Sequence, residues 1–360
     1  QRLTLINLNL PVLFSIVYFF SSLFLLFSIK KIILSKTKLL FYLFYLLILI
    51  TTPLLWVVFD VTEYGLMRFV NFCFIVVPIS VIIIERYSRK DVLNTLYVLL
   101  GVVVFLALIS LFGLSISDRV DGRMATLGGG PIVFGRWMGF GIISLFLLPL
   151  KIRSIYKYGL IVILLLLALA TGSRGPILAL LLTAMVYIFL NFNRIIVKVS
   201  LVVCILISVF FTSELGKQIF ELGNSKRVFM NISKKGGSKQ STSARSNLAI
   251  GAFLLLQNYP LGVGAGNFQP IINQMGSTYL IPSEYPHNLI LEVACEYGLQ
   301  TAFVLVLLLL YVFYLSYYKM IRYTSEVDSL YPLLFYLFLF LFLNSLVSGM
   351  LNDSRLLFVI

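Results

Sequence analysis

An all-α, polytopic integral membrane protein with about ten to twelve transmembrane helices is the fold class this sequence predicts, and three observations predict it. The chain of 360 residues is 60% hydrophobic and 12% charged, with a mean hydropathy of +1.02, whereas a soluble domain is roughly 45–50% apolar and 25% charged. Apolar stretches long enough to span a bilayer recur along its length. The basic residues collect in every second gap between those stretches, as the positive-inside rule requires of a multi-pass protein. A soluble enzyme, a nucleic-acid binder and a disulfide scaffold are excluded. The formal charge of +14 lies mainly in short inter-span gaps, where it sets topology.

The spans read at 10–29, 39–59, 66–84, 92–114, 132–150, 155–171, 176–191, 195–212, 288–317 and 330–351. The first is a span and not a cleaved signal, because it lacks a small-residue cleavage site and further spans follow. Lys30, Lys31, Lys36, Lys38, Arg86, Arg89, Lys90, Lys151, Arg153, Lys157, Arg194, Lys198, Lys319 and Arg322 fall on one side. The short gaps on the other side hold only Arg119, Arg123 and Arg174, so the first group is expected in the cytoplasm and this second side outside.

That orientation puts Gln1 outside, and Leu356 to Ile360 read as the start of a further span. A chain trimmed at both ends, with one more helix at each, would have both termini cytoplasmic; the other reading is that Gln1 is the true start. The expected organisation is 1–212, eight spans with short loops; 213–286, one large external loop with a surface helix; and 287–360, the C-terminal spans, the last of them truncated.

The large loop has two halves. Residues 224–243 are rich in Ser, Lys and Gly and would not pack alone. Ser243 can then cap a helix from Ala244 to about Gln257, with Leu248, Ala252, Leu255 and Leu256 at helical spacing and Phe253 and Leu254 widening the apolar face. Such a helix would lie along the membrane surface. Gly262, Gly264 and Gly266 follow; they either present backbone amides to an anion or make tight turns. Cys73, Cys204 and Cys295 sit in apolar runs without metal-ligand spacing and read as packing residues.

Charges near a bilayer ask for a partner or a task. Arg174, in TGSRG, is either an interface snorkeller or an anion ligand. Arg245 falls in the first turn of the loop helix, where the macrodipole disfavours a cation unless an anion is near. Arg123 and Arg136 are weaker candidates, and Arg68 reads as a snorkeller. The single histidine, His287, follows Pro286 at the mouth of the ninth span. An imidazole can take a proton from a hydroxyl without a metal. Glu284 is a candidate orienter of His287, and Glu296 a helix-packing or orienting residue some two and a half turns below it. Several arginines, one base and no dense carboxylate or His/Cys cluster suit an anionic leaving group such as pyrophosphate, which guanidinium binds bidentately. An ion between Asp60 and Glu63 is a weak alternative.

At these residues the chain resembles the O-antigen ligase and O-antigen polymerase superfamily of bacterial membrane glycosyltransferases. The likeness rests on RMATLGGGPIVFGRWM around residue 123, TGSRGPILALLL around 174, SARSNLAIGAFLLLQNYPLGVGAGNF around 245 and PHNLILEVACEYGL around 287, in the family's order, over about residues 115–300. The resemblance implies a twelve-helix, GT-C-like fold and an inverting transfer from an undecaprenyl-pyrophosphate-linked glycan, with no metal and no cofactor. It assigns Arg174 and Arg245 to the pyrophosphate and His287 to activation of the acceptor hydroxyl; Arg123, Arg136, Glu284, Glu296 and Gly264 are supporting candidates from the reading of the residues themselves. Membrane lipid, a chain-length regulator and a flippase are the expected partners, and nucleic acid is not. The expected location is the bacterial inner membrane, with the site facing the periplasm or the cell exterior. The sequence departs from the family by ending before its final helix.

Three functions compete. A polymerase would move the growing glycan onto a fresh lipid-linked repeat unit; a ligase would move it to lipid A-core or another envelope acceptor; a transporter of lipid-linked sugar would also use arginines. The basic loop favours the polymerase, since it can track a long or anionic glycan. The polar positions crowd the external ends and not the midplane, which argues against transport.

Overall fold

The computed structural model describes residues 35–84, 87–112, 130–191, 237–276, 285–322 and 330–359, together with Met124 and a few residues near the N-terminus. The expected spans at 10–29 and 195–212, apart from Phe20, Ser21 and Phe24, lie outside the described residues, as do Arg123, Cys204 and Glu284. At the N-terminus, β1 (Thr4–Leu5) pairs antiparallel with β2 (Leu8–Asn9). Among the described residues, everything else that is regular is helical.

The helices are α1 (Lys36–Val58), α2 (Glu63–Ile84), α3 (Arg89–Leu111), α4 (Gly130–Leu147), α5 (Ser154–Ala170), α6 (Arg174–Asn191), α7 (Gly237–Asn258), α8 (Phe268–Gln274), α9 (Leu289–Tyr297), α10 (Leu299–Arg322) and α11 (Leu330–Ser348). A 3₁₀ turn, Leu351–Asp353, and α12 (Arg355–Val359) follow. Among the described residues, α1, α3, α4, α6, α10 and α11 are long and apolar enough to cross a membrane. The protein is a multi-pass membrane protein.

Local chemistry explains the helix starts. Ser35 caps α1 by accepting from Lys38 N at 3.3 Å, and Ser88 and Asp91 form a reciprocal capping box at α3. Each outer helix buries a narrow stripe at helical spacing, such as Phe41, Phe44, Tyr45, Ile48 and Thr52 on α1 or Leu96, Leu100, Val103 and Ala107 on α3. The remaining apolar surface is exposed, Val98, Phe105 and Ile155 among it, as a lipid-facing wall should be. Among the described spans the most buried are α4 and α11: more than half of each is buried, against a third or less of the other four. They pack closely at Gly139 of α4, where a Cβ would fall inside the Phe340 ring of α11; Gly135, one turn earlier on α4, instead lets Pro176 of α6 approach.

By contacts the chain forms two compact units, residues 1–179 with 248–360, and residues 180–247. In the first, α4 packs on α3, α5 and α11, and α10 on α1, α9 and α11. One end of this unit is basic: there Tyr97 Oη donates to Pro149 O at 3.3 Å and Lys157 Nζ to Phe146 O at 3.1 Å. At the opposite end the loop after α1 meets the glycine loop, with Asn267 Nδ2 donating to Asp60 O at 3.0 Å, and Gly175 abuts Val347 and Ser348. The second unit comprises the body of α6 beyond Ala179 and the first turns of α7, with Asn191 Nδ2 donating to Tyr187 O at 2.8 Å.

Two expectations are corrected. The span read as 288–317 is two helices, α9 and α10, broken at Gly298, where φ is 89°. The helix expected to start after Ser243 starts at Gly237, so Ser243 lies inside it; Lys239 and Gln240 are good helix formers that carry the turn backwards. Its predicted face holds within the first unit: Leu248, Ala252 and Leu255 pack with Val263, Phe268, Ile272 and Cys295, and Leu256 sits against them. Phe253 instead points outward. Cys295 is a buried packing residue. Leu357 of α12 is buried, and Phe358 stacks on Phe44 with centroids 6.0 Å apart.

Candidate active site

His287 is placed by its neighbours. Pro286 precedes it, and Asn288 follows as the N-cap of α9, its Oδ1 accepting from Ile290 N at 3.0 Å and Leu291 N at 3.1 Å. Between them His287 adopts φ 56°, the only non-glycine residue with positive φ among the described residues. A β-carbon in the left-handed region costs about 1–2 kcal/mol, and such strain collects at functional sites. The imidazole packs on Tyr285, ring centroids 4.2 Å apart.

The last turn of α11 gathers the rest. Asn288 Nδ2 donates to Leu346 O at 2.9 Å, fixing the His287 turn to this helix end. Arg136 Nη2 donates to Ser348 O at 2.7 Å. These two donors satisfy carbonyls that a helix C-terminus leaves open. On the same turn Gly175 is so close that a Cβ would lie 3.3 Å from Ser348 Oγ and from Val347 Cγ1, which sets the exposed Arg174, first residue of α6, beside it. Three residues singled out from sequence, Arg136, Arg174 and His287, are thereby brought to one helix terminus within the first unit.

Beside that terminus lies a cavity of about 190 Å³ lined by Gly130, Pro131, Ile132, Val133, Arg136, Tyr285, Ser348 and Asp353. A second, of about 350 Å³, lies against the same Val133, Arg136 and Asp353. Burial, reinforced by Glu292 and Asp353, pushes the Tyr285 phenol up to about 12, so it is a neutral hydroxyl at physiological pH. Tyr285 and Asp353 were not singled out from sequence; the signal for Asp353 was a carboxylate just past the end of a span, in NDSR.

The other candidates serve different ends. Glu296 and Glu292 are fully buried and clamp Arg68, whose Nη1 donates to Glu296 Oε1 at 2.7 Å and whose Nη2 donates to Glu292 Oε1. Arg68 is thus no snorkeller: it is 4% exposed and holds α2 to α9. Leu351 N donates to Glu292 Oε2 at 3.1 Å and Asn352 Nδ2 to Arg68 O at 3.2 Å, so the same ion cluster fixes the turn that carries Asp353. Gly264 N donates to Glu296 O at 2.8 Å and Gly262 N to Tyr259 O at 3.0 Å; both amides are engaged within the protein, and all three glycines have positive φ. This is a tight-turn arrangement. Arg245 lies on α7 in the second unit. Among the described residues no three His, Cys, Asp or Glu side chains converge as metal ligands.

Residues 159–306 match the family model for O-antigen ligase. That segment is similar to O-antigen ligases. Through that segment the chain is similar to the O-antigen ligase and polymerase superfamily, and polysaccharide ligase or polymerase activity is the general function the similarity supports. The matched segment contains Arg174, Arg245, Gly264, Glu284, His287 and Glu296, while Arg123 and Arg136 precede it. No curated protein matches the chain.

Proposed function

We propose that the protein is a polysaccharide polymerase that transfers a growing glycan from undecaprenyl pyrophosphate to a lipid-linked repeat unit. The observation that carries this reading is the convergence of His287, Arg136 and Arg174 on the last turn of α11, beside a cavity of about 190 Å³. In this reading His287 takes the proton of the acceptor hydroxyl as that oxygen attacks the anomeric carbon, and the bond to the pyrophosphate breaks on the opposite face. Inversion follows from a single displacement. Arg174 holds the departing pyrophosphate, where a fixed cation stabilises developing charge without waiting for solvent to reorganise. Arg245 enters through sequence resemblance and not through distance. Arg136, with one donor on Ser348 O, and Glu296, clamped by Arg68, position the site.

Phosphate chemistry here needs a charge that persists across the working pH range, and guanidinium supplies it; a single imidazole then suffices as base, so the proposed reaction uses neither metal nor cofactor. The end of the first unit opposite the basic gaps faces the periplasm or cell exterior of a bacterial inner membrane, as the positive-inside rule assigns it.

The second reading is a ligase with the same donor, favoured by the description of the matching family. The acceptor decides. Offered lipid A-core beside the lipid-linked repeat unit, a polymerase leaves the lipid A-core unmodified, whereas a ligase glycosylates it.

A further inference from the structure

The two cavities beside Arg136 meet at a common wall of Val133, Arg136 and Asp353, and the larger one adds Trp137, Asn344 and Arg355. Its volume of about 350 Å³ falls in the range of small-molecule sites. Two polar atoms of its lining residues are buried without a hydrogen-bond partner among the described residues: Arg136 Nε, a donor, and Asn344 Oδ1, an acceptor. Asn344 is 2% exposed, and its Nδ2 donates to Phe340 O at 2.8 Å, which fixes the way round the amide lies. A buried donor and a buried acceptor left unpaired are both costly, so the chemistry that fits this wall supplies both.

A bare phosphate does not. As the fully ionised diester that joins lipid to sugar it would serve Arg136 and Arg355 but offer Asn344 Oδ1 no proton, and it would face the Asp353 carboxylate. A hydroxyl donates and accepts at once, and a carboxylate accepts from hydroxyls too. The adjoining Trp137 indole gives the apolar face of a ring a surface to lie on.

We propose that Arg136, Asn344 and Asp353 form a glycan subsite that binds ring hydroxyls of the lipid-linked substrate, with Trp137 as its apolar floor. The subsite rests on the proposed function, because its ligand is the sugar portion of the same substrate. It deepens that function by separating sugar recognition, between α4 and α11, from the phosphate recognition assigned to Arg174.

The test compares two probes on the full chain in detergent: the producing organism's own lipid-linked repeat unit, and undecaprenyl pyrophosphate without sugar. Binding of each is measured for the wild type, Asn344→Leu and Asp353→Asn, with thermal unfolding to confirm that the variants fold. Asp353 is exposed at the cavity wall, so Asp353→Asn keeps the test open if Asn344→Leu does not fold. Loss of one such hydrogen bond is expected to weaken the glycosylated lipid about tenfold and leave the bare lipid unchanged. Equal weakening of both probes, or of neither, in folded variants overturns the subsite. Transfer by the wild type is assayed alongside: a wild type that binds the glycosylated lipid but transfers nothing overturns the proposed function and leaves the subsite standing.

Discussion

Arg136 on α4 and Ser348 at the end of α11 are joined by a hydrogen bond of 2.7 Å from the guanidinium Nη2 to the backbone carbonyl. Through it, the two most buried of the described spans are tied together at the end where Arg174 and His287 also lie. The site is therefore built on helix ends held by the core. Such anchoring holds reacting groups to the narrow tolerances that catalysis requires.

Replacing Arg68 by Ala should destabilise the protein by about 3–5 kcal/mol, because two fully buried carboxylates lose their only cation within salt-bridge distance among the described residues. The triple change Arg68→Met, Glu292→Gln, Glu296→Gln removes all three charges together and should lose less. Thermal unfolding in detergent ranks the two. A triple variant less stable than Arg68→Ala would contradict the buried ion cluster.

The backbone of His287 makes a separate stability prediction. At φ 56° a β-branched residue is disfavoured, whereas Asn and Gly enter the left-handed region readily. His287→Val should therefore unfold earlier than His287→Asn, by about 1–2 kcal/mol. Equal stabilities would show that this turn relaxes on substitution.

For Arg174 the conservative change is the informative one. A snorkelling side chain is replaced by Lys without loss, while a bidentate phosphate contact is not. Arg174→Lys should lower kcat/KM for the lipid-linked donor about tenfold. An unchanged value would return Arg174 to an interfacial role.

Gly264 separates two roles of the glycine run. Its φ of 88° and the approach of Trp56 Cδ1, 3.0 Å from where a Cβ would lie, make Gly264→Ala destabilising by about 1–2 kcal/mol. Since its amide is bonded to Glu296 O, binding of undecaprenyl pyrophosphate by the folded fraction should not change. Weaker binding in that fraction would revive the anion-holding role.

Much of this was legible in the chain itself, and the reasons differ by feature. The expected spans 39–59 and 132–150 correspond to Lys36–Val58 and Gly130–Leu147 because hydropathy and span length are properties of contiguous residues. The break at Gly298 was hidden by the apolar run around it, where a single glycine weakens a helix without having to end it. Arg68 was misread because its partner Glu292 lies 224 residues away, beyond any periodicity. His287 stood out as the only histidine, but its left-handed backbone arises from Pro286 and the Asn288 cap acting together. Asp353 and Asn344 escaped notice for a related reason: their significance lies in the cavity they share with Arg136, and a cavity has no sequence signature.

The most direct measurement incubates purified wild type and His287→Asn with the native lipid-linked repeat unit and no other acceptor, and resolves the products by size. The account predicts a ladder of glycans from the wild type and none from His287→Asn, with both proteins binding the substrate. A ladder from His287→Asn would contradict the assignment of the base, and a wild type that forms no ladder here and transfers no glycan to lipid A-core would contradict the transferase itself.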